Sequence, residues 1–271
     1  MTVINHTARD IERWTPGGLH EICGCSSITR LLAAYARSPS GTPNLLITGP
    51  RGSGKTSTVN AFLQTLICPF AAGDPPRRCG QCKDCLTFDT RYHDWGFWSL
   101  FRPRVLDHGK EALNFRPIDC RSTNEREIRE TIEWCREFAS TSQCVVYLDE
   151  VDYLKRNQLD GLLLKPLEEL DVLWIATCET RSNLAPMFVR RFTLRKTTTS
   201  PSIQELTLFL ADRCRDFAID CDETTLQMLA QRSRCSVSEC IRVLALSASG
   251  ESRRLTREII QGFDFLEDFI D

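Results

Sequence analysis

The stretch Gly49-Pro50-Arg51-Gly52-Ser53-Gly54-Lys55-Thr56 constrains the fold of this chain most, because it fits the pattern G-x-x-x-x-G-K-[ST] at every fixed position. A short apolar run over 44–48 predicts a buried parallel strand before it, and apolar spacing over 58–67 predicts a helix after it. Glycines let backbone N–H groups converge on an anion, and the helix start adds the positive end of its dipole. We therefore expect a nucleoside triphosphate here, with Lys55 on the β- and γ-phosphates and the Thr56 hydroxyl on Mg²⁺. The alternative is a glycine-rich turn that binds no nucleotide.

Length and composition indicate a water-soluble globular protein of two domains. The chain has 271 residues, of which 42% are hydrophobic and 26% charged, and its net charge of −2 excludes a wholly basic surface. No apolar run approaches the roughly 18 residues of a membrane-spanning helix, and the N-terminus lacks the apolar core of a signal peptide. We expect a cytoplasmic protein whose nucleic-acid contacts, if any, come from local basic clusters.

Four of the 14 cysteines have the spacing of a metal site. Cys68, Cys79, Cys82 and Cys85 form C-x10-C-x2-C-x2-C, which predicts a closed tetrahedral Zn²⁺ site in a module over 68–85. Unligated or redox-active cysteines are the alternative. The other ten cysteines stand singly, and buried cysteine behaves as a small apolar residue.

Strands and helices alternate as far as about residue 197, which predicts an α/β fold with a parallel sheet covered by helices on both faces. The strand-like segments are 44–48, 115–119, 144–148, 172–178 and 192–196. The helix over 159–170 contains Pro166 and should break or kink there. Only helices are predicted after 200, so we expect a core domain over 1–197 and a small all-helical domain over 198–271.

Helix starts are predicted from capping residues. Ser122-Thr123-Asn124-Glu125 and Ser236-Val237-Ser238-Glu239 have the pattern of capping boxes, and Asp222 is a predicted N-cap. Pro201 stands where a first helical residue is expected.

The segment 91–114 is rich in aromatic residues and also contains arginines. The aromatic residues are Tyr92, Trp95, Phe97, Trp98 and Phe101, and the arginines that follow them are Arg102 and Arg104. Such a mixture suits a stacking platform for single-stranded nucleic acid. The alternative is a surface excursion whose aromatic rings pack on its own domain or on a neighbouring subunit.

Two adjacent carboxylates, Asp149 and Glu150, close an apolar strand downstream of the phosphate loop. In such sites the first carboxylate binds Mg²⁺ through water, and the second orients and deprotonates the attacking water. We expect these roles for Asp149 and Glu150.

Several motifs resemble those of the AAA+ clamp-loader ATPases, and most of all those of the gamma/tau subunits of bacterial DNA polymerase III, with the replication factor C small subunits further off. The motifs are VVYLDEVDYL over 145–154, LLK over 163–165, LEE over 167–169 and GPRGSGKTS over 49–57, which is similar to the family's Walker A motif and includes Ser57. Trp14-x-Pro16 and Glu21-Ile22-Cys23-Gly24 resemble the signature that lines the adenine pocket, which implies that Trp14, Ile22 and Cys23 contact the base. The four cysteines stand where bacterial members carry a zinc module. Ile175-Ala176-Thr177 resembles the sensor-1 strand, which implies that Thr177 bonds the γ-phosphate or the attacking water.

The resemblance covers about residues 12–250 and implies a Mg²⁺-dependent ATPase with ATP at a junction between subunits. It implies an arginine finger in trans at Arg191, although the adjacent Arg190 competes for the role. It also implies contacts with DNA phosphates, for which the matching positions are Lys155, Arg156, Asn157, Arg126 and Arg129. A sliding clamp or another DNA-processing protein is the expected partner of the oligomer.

Three departures from the family pattern favour a different function. The sensor-2 arginine of the helical lid should fall near Ser238, and only Arg234 or Arg242 can substitute for it. The segment 91–114 is an insertion, and the chain stops at Asp271, before a collar domain. These departures favour the alternative of a nucleotide-gated scaffold that binds ATP, hydrolyses it poorly and regulates a DNA-processing partner. A monomeric nucleotide kinase fits the motifs poorly.

Overall fold

One sheet organises the chain in the computed structural model. The structure describes residues 7, 11, 14, 16–37, 44–68, 70–73, 76–83, 85–86, 105–106, 113–140, 143–250 and 252–265. Within these residues the strands are β1 (Leu45–Thr48), β2 (Val105–Leu106), β3 (Leu113–Asp119), β4 (Gln143–Asp149), β5 (Val172–Cys178) and β6 (Leu194–Thr197). Their order is β2-β3-β4-β5-β1-β6. The five strands from β3 to β6 run parallel, and only β2 pairs antiparallel, at one edge.

Helices cover both faces of the sheet. They are α1 (Ser26–Arg37), α2 (Lys55–Ile67), α3 (Glu125–Phe138), α4 (Asp152–Arg156), α5 (Asp160–Leu163), α6 (Pro166–Glu169) and α7 (Pro186–Arg190), with 3-10 turns at Leu19–Glu21 and Arg181–Asn183. Side chains of a strand alternate between faces, and β5 shows the result. Its Trp174 packs with the α3 side chains on one face, while Ile175 packs with those of α1 and α2 on the other. All seven residues of β5 are buried, as expected of a parallel strand with both faces covered.

The chain after β6 contains helices as its only regular elements within the described residues. These C-terminal helices are α8 (Ile203–Asp216), α9 (Glu223–Arg232), α10 (Val237–Ser249) and α11 (Arg257–Gly262). They share a separate apolar cluster, which includes Leu206, Leu229, Leu244 and Ile260. Ile11 of the N-terminal part also lies in this cluster, so both ends of the chain contribute to it.

The predicted strand and helix order is confirmed, whereas two predicted helix starts are wrong. Helix α3 is capped by Asn124, whose Oδ1 accepts the Glu127 N–H at 3.0 Å, and not by Ser122. Helix α8 begins after Ser202, which forms a full capping box with Glu205, so Pro201 precedes the helix. Asp222 caps α9 as predicted.

The predicted break at Pro166 is also confirmed. The segment 159–170 forms two short helices, α5 and α6, and Pro166 is the first residue of α6. Proline is well suited to that position, because the backbone N–H of a first-turn residue has no acceptor within the helix and proline lacks only that N–H. No helix in the described part of the chain has the length and apolar character to cross a membrane.

Candidate active site

The phosphate loop joins β1 to α2 in a conformation that requires glycine at several positions. Gly52 and Gly54 have φ of +73° and +79°, and Gly54 is the N-cap of α2. Gly49 has φ of +156°, and a Cβ there would lie 2.0 Å from Thr198 Oγ1 and 2.7 Å from the Thr198 carbonyl oxygen. The loop is thus bent over the start of α2, as anion binding by backbone N–H groups needs.

The Lys55 side chain reaches back across the phosphate loop. Its Nζ donates to the carbonyl oxygens of Gly49 at 2.7 Å and Pro50 at 2.9 Å. Burial lowers the pKa of Lys55, and the nearby carboxylates of Glu179 and Asp149 oppose that shift. The ammonium group is therefore held at the mouth of the loop by contacts that phosphate oxygens can replace.

The remaining loop residues divide between the cleft and the core. Arg51, Gly52, Gly54, Lys55, Thr56 and Ser57 line a cleft of about 520 Å³. Ser53 is buried, and its Oγ contacts the Pro50 carbonyl oxygen at 2.7 Å and Thr198 Oγ1 at 2.6 Å. Ser53 therefore stabilises the loop from behind.

Asp149, the last residue of β4, is adjacent to the predicted Mg²⁺ hydroxyl. Its Oδ1 accepts hydrogen bonds from Thr56 Oγ1 at 3.4 Å, from Tyr147 OH at 2.7 Å and from Thr177 Oγ1. A hydroxyl and a carboxylate oxygen this close, in a cleft open to water, form the oxygen donor set that Mg²⁺ prefers. Thr56 and Asp149 therefore fit a Mg²⁺ site.

Glu150 lies at the edge of the same cleft. Its φ is +56°, a left-handed value that turns the chain sharply after β4. Thr177, buried in β5, accepts the Glu150 N–H at 3.2 Å while it donates to Asp149. Thr177 thus fixes both carboxylate residues, and it does not itself line the cleft within the described residues.

Arg121 is a site residue that the sequence did not reveal. Its guanidinium donates to both carboxylate oxygens of Asp119, at 3.0 and 3.1 Å, and its Nε lies 3.3 Å from Glu150 Oε2. Burial raises the pKa of Glu150, and the positive charge of Arg121 opposes that shift. The register of β3 and β4 pairs Asp119 with Asp149, so the residues just after each strand must meet.

The C-terminal helices close the other side of the cleft. Phe209 of α8 and Val237, Ser238, Ile241 and Arg242 of α10 line it, together with Trp14, Pro16, Glu21, Ile22 and Cys23 of the N-terminal part. The predicted base-contacting residues Trp14, Ile22 and Cys23 are therefore all at the cleft. Trp14 packs on α8, since its ring centroid lies 5.8 Å from that of Phe209 and the Arg213 guanidinium lies over the ring at 5.1 Å.

Of the two arginines that could replace the sensor-2 residue, Arg242 lines the cleft and Arg234 does not. Arg242 follows Ser238 by one helical turn, so both lie on the same face of α10. Its Nη1 lies 3.1 Å from Oε1 of Glu239, a buried carboxylate. The start of α10 also approaches the phosphate loop, because a Cβ at Gly52 would lie 2.7 Å from Ser236 Oγ.

Arg190 ends α7 and Arg191 follows it, and neither is among the described residues that line the cleft. Arg191 pairs with Glu168 at 2.7 Å and donates to the Leu164 carbonyl oxygen at 3.2 Å. Arg190 is exposed. The predicted finger is therefore tethered to α5 and α6, and its neighbour is the more accessible of the two.

The predicted DNA-contacting residues are exposed, and most are paired with acids. Arg126 pairs with Glu130 and Arg129 with Glu125, each at 2.7 Å along α3. Arg156 lies 3.8 Å from Asp152 and stacks on Tyr153, whereas Lys155 and Asn157 are simply exposed. The aromatic residues predicted as a stacking platform, Tyr92 to Phe101, lie outside the described residues, as do Arg102 and Arg104.

The four predicted zinc ligands come together. The sulfur atoms of Cys68, Cys79, Cys82 and Cys85 all lie within 4.8 Å of one another, and those of Cys79 and Cys85 are 4.0 Å apart. Zn–S bonds of about 2.3 Å in a tetrahedron place sulfur atoms about 3.8 Å apart. Backbone N–H groups of Cys79 and Cys82 donate to the sulfurs of Cys68 and Cys79, at 3.2 and 3.3 Å. Four sulfurs with this spacing and these donors fit a Zn²⁺ ion.

The sequence is similar to one protein family model and to two curated proteins. Residues 26–175 match the family model of the AAA ATPase domain. The protein STICHEL of Arabidopsis thaliana is 34% identical over 89 residues, which are 33% of this chain and 7% of that protein. DNA polymerase III subunit tau/gamma of Haemophilus influenzae is 27% identical over 159 residues, which are 58% of this chain and 20% of that protein. The chain thus spans a small part of either relative.

Solved structures agree on the fold. The Holliday junction branch migration motor RuvB of Thermotoga maritima superposes with a TM-score of 0.61 at 14% identity, over 93% of this chain and 71% of that one. A variant of the same motor gives a TM-score of 0.62 with the same identity and coverage. The segment that matches the family model, 26–175, contains the phosphate loop and both carboxylates of the cleft. The chain therefore belongs to the AAA ATPase domain family.

Proposed function

We propose that this chain is an ATP-hydrolysing subunit of a clamp-loader-like assembly that engages DNA, with ATP bound at the junction between subunits. One observation carries the proposal: Lys55, the Thr56–Asp149 pair and Glu150 meet in a single cleft that the C-terminal helices close. Each of the three groups answers one need of phosphoryl transfer: charge on the phosphates, a metal site, and a base for the attacking water.

The roles of the residues follow from their contacts. Lys55 exchanges its two carbonyl acceptors for phosphate oxygens. Thr56 and Asp149 would hold Mg²⁺, which would neutralise charge on the phosphates. Glu150 orients the attacking water and takes its proton, and Arg121 keeps the Glu150 carboxylate ionised and in place.

We further propose that residues 198–271 act as a lid domain on the core over 1–197. Its α10 faces the phosphate loop, and Arg242 supplies the cation that Ser238 cannot. The guanidinium, directed along α10 by Glu239, contacts the triphosphate and so couples nucleotide binding to lid position.

The junction between subunits is proposed from the position of α7. Arg191 is not among the described residues that line its own cleft, and we assign it as an arginine finger for a neighbouring subunit, after release from Glu168. The proposed DNA-facing residues are Lys155, Arg156 and Asn157, together with Arg126 and Arg129. A sliding clamp or another DNA-processing protein is the proposed partner, and the cytoplasm the proposed location.

ATP turnover with and without primed DNA tests the enzyme. Lys55→Ala and Glu150→Gln should each abolish turnover, and DNA should stimulate the unsubstituted protein. Turnover that depends on neither residue contradicts the proposal.

The junction has its own test, in which subunits carrying Glu150→Gln are mixed with subunits carrying Arg191→Ala. Neither variant hydrolyses ATP alone, but a mixture regains turnover because some junctions then contain both intact residues. Arg190→Ala is the matched control and should hydrolyse ATP by itself. If Arg190→Ala is instead inactive alone and regains turnover when mixed with Glu150→Gln, the finger is Arg190. If ATP does not change the mass of the protein in solution, no oligomer forms around the nucleotide, and the proposed junction is contradicted.

A second candidate function is a nucleotide-gated scaffold that binds ATP, hydrolyses it poorly and controls a DNA-processing partner. The pair Arg191–Glu168 favours it, because it engages the arginine that hydrolysis in trans requires. Tight nucleotide binding and an ATP-dependent change of mass, without turnover in the presence of DNA, would select this function.

A further inference from the structure

The loop that borders the nucleotide cleft is also in contact with the cysteine module. We define the cleft loop as residues 16–23, of which Pro16, Glu21, Ile22 and Cys23 line the cleft. The Glu21 carboxylate is turned back within this loop, where its Oε2 accepts the Gly17 N–H at 2.5 Å. The conformation of the cleft loop therefore decides what the cleft presents to a nucleotide.

Arg78 of the cysteine module reaches this loop. A Cβ added to Gly17 would lie 3.6 Å from Nε and 3.7 Å from Nη2 of Arg78, and 3.4 Å from Glu21 Oε2. The guanidinium and the carboxylate thus approach the same side of Gly17. The neighbouring Arg77 is close enough for its charge to lower the pKa of His20, although burial lowers that pKa more.

Arg78 immediately precedes Cys79, so its position depends on what holds that cysteine. The Cys79 N–H donates to Cys68 Sγ at 3.2 Å, and Cys68 in turn ends α2, the helix that begins at the phosphate loop. Leu19 of the cleft loop packs in the same apolar cluster as Phe62 and Leu63 of α2. The four sulfurs are therefore connected to the cleft by two routes, through α2 and through Arg78.

A metal ion is what makes this arrangement rigid. One Zn²⁺ ion bonded to all four sulfurs, which lie within 4.8 Å of one another, would fix their relative positions. Without the ion, only N–H···S hydrogen bonds of 3.2 to 3.5 Å join the cysteines, so Arg78, which precedes Cys79, would be held less firmly.

We propose that the metal-loaded cysteine module, through Arg78, holds the cleft loop in its nucleotide-binding conformation, so that occupancy of the four-cysteine site sets the affinity of the cleft for ATP. The inference rests on the proposed nucleotide binding. It assigns Arg78 as a positioning residue, since the guanidinium does not line the cleft within the described part of the chain.

The first experiment measures the affinity of a fluorescent ATP analogue for zinc-loaded and zinc-depleted protein. Zinc is removed with a chelator that prefers Zn²⁺ to Mg²⁺, in excess Mg²⁺, and zinc content is measured directly. We expect depletion to weaken binding about 5- to 10-fold, at the lower end of the coupling between sites found in proteins, and added Zn²⁺ to restore it.

The second experiment separates the contact from the metal. Arg78→Ala should keep its zinc and weaken nucleotide binding to a similar extent, and zinc depletion should then have little further effect. Lys83→Ala is the matched control, because Lys83 is an exposed cation in the same module. If depletion unfolds the protein, Arg78→Ala decides the matter alone, since its zinc remains.

The affinity for zinc, measured with and without nucleotide, provides a further test. It would not change with nucleotide if Arg78 only stabilised the fold. A nucleotide that binds more tightly to the zinc-loaded form must raise zinc affinity by the same factor, as measured by competition with the chelator. Equal nucleotide affinity with and without zinc, or in Arg78→Ala, overturns the inference and leaves the proposed function intact. Zinc-loaded protein that binds no nucleotide at all overturns both.

Discussion

Replacing Gly49 by alanine is expected to be the most damaging methyl addition in the phosphate loop. The new Cβ would lie 2.0 Å from Oγ1 and 2.7 Å from the carbonyl oxygen of Thr198. Neither atom can move away cheaply. The Thr198 N–H donates to the Thr48 carbonyl oxygen at 2.7 Å, and Thr198 Oγ1 is in contact with Ser53 Oγ at 2.6 Å.

The cost has two parts. Overpacking a filled site costs about 1–3 kcal/mol. A non-glycine residue at the φ of +156° found for Gly49 adds about 1–3 kcal/mol of backbone strain. We expect the free energy of unfolding to fall by about 2–6 kcal/mol, a large fraction of the roughly 5–15 kcal/mol available to a typical domain.

Two other glycines provide matched controls. Gly54 has φ of +79° but no atom within 4 Å of an added Cβ, so Gly54→Ala should cost only the left-handed strain of about 1–2 kcal/mol. Because Gly54 lines the cleft, nucleotide binding should fall much more than stability does. Gly161→Ala in α5 meets no atom and should be neutral or stabilising by up to about 1 kcal/mol.

Urea denaturation followed by tryptophan fluorescence, together with nucleotide titration, distinguishes the three variants. Trp174 is fully buried between sheet and helices and reports on the core. If Gly49→Ala is as stable as Gly54→Ala, the assumed rigidity around Thr198 is wrong. If Gly54→Ala binds nucleotide normally, the ligand does not occupy the space in front of the loop.

Three further predictions concern charged groups. Arg121→Gln should move the acid limb of the kcat–pH profile to higher pH. Burial raises the pKa of Glu150, and the variant loses the positive charge that opposes this shift. If the limb does not move, Glu150 is not the titrating base. Arg242→Ala should weaken ATP binding about tenfold, the value of one charge-assisted hydrogen bond, while Arg234→Ala should leave it unchanged in the same titration. Hydrogen bonding by the Thr224 hydroxyl lowers the pKa of Asp222 from 3.8 to about 2, so its stabilisation is complete above its unfolded pKa and is lost as pH falls through the folded value. Asp222→Ala should therefore lower the thermal midpoint more at pH 7 than at pH 2, and Asp222→Asn, which still caps α9, should lower it less at pH 7.

Much of the fold was predictable because it depends on local patterns. The glycine loop, the apolar runs of β1, β4 and β5, and the break at Pro166 each follow from a few adjacent residues whose conformational preferences agree. The failures at Ser122 and Pro201 are local too. In both cases a competing cap within two residues, Asn124 or Ser202, offers the better hydrogen bond to the helix start.

The sequence alone determined the phosphate loop, the paired carboxylates at a strand end and the four-cysteine spacing, because each is a short pattern of residue types whose chemistry depends little on distant parts of the chain. Only the tertiary structure decided that Arg121 faces Glu150, that Arg242 and not Arg234 lines the cleft, that Glu168 holds Arg191, and that Arg78 reaches Gly17. The partners in these contacts are far apart in the sequence, and they meet because the register of the parallel sheet and the packing of the C-terminal helices fix where each chain segment ends.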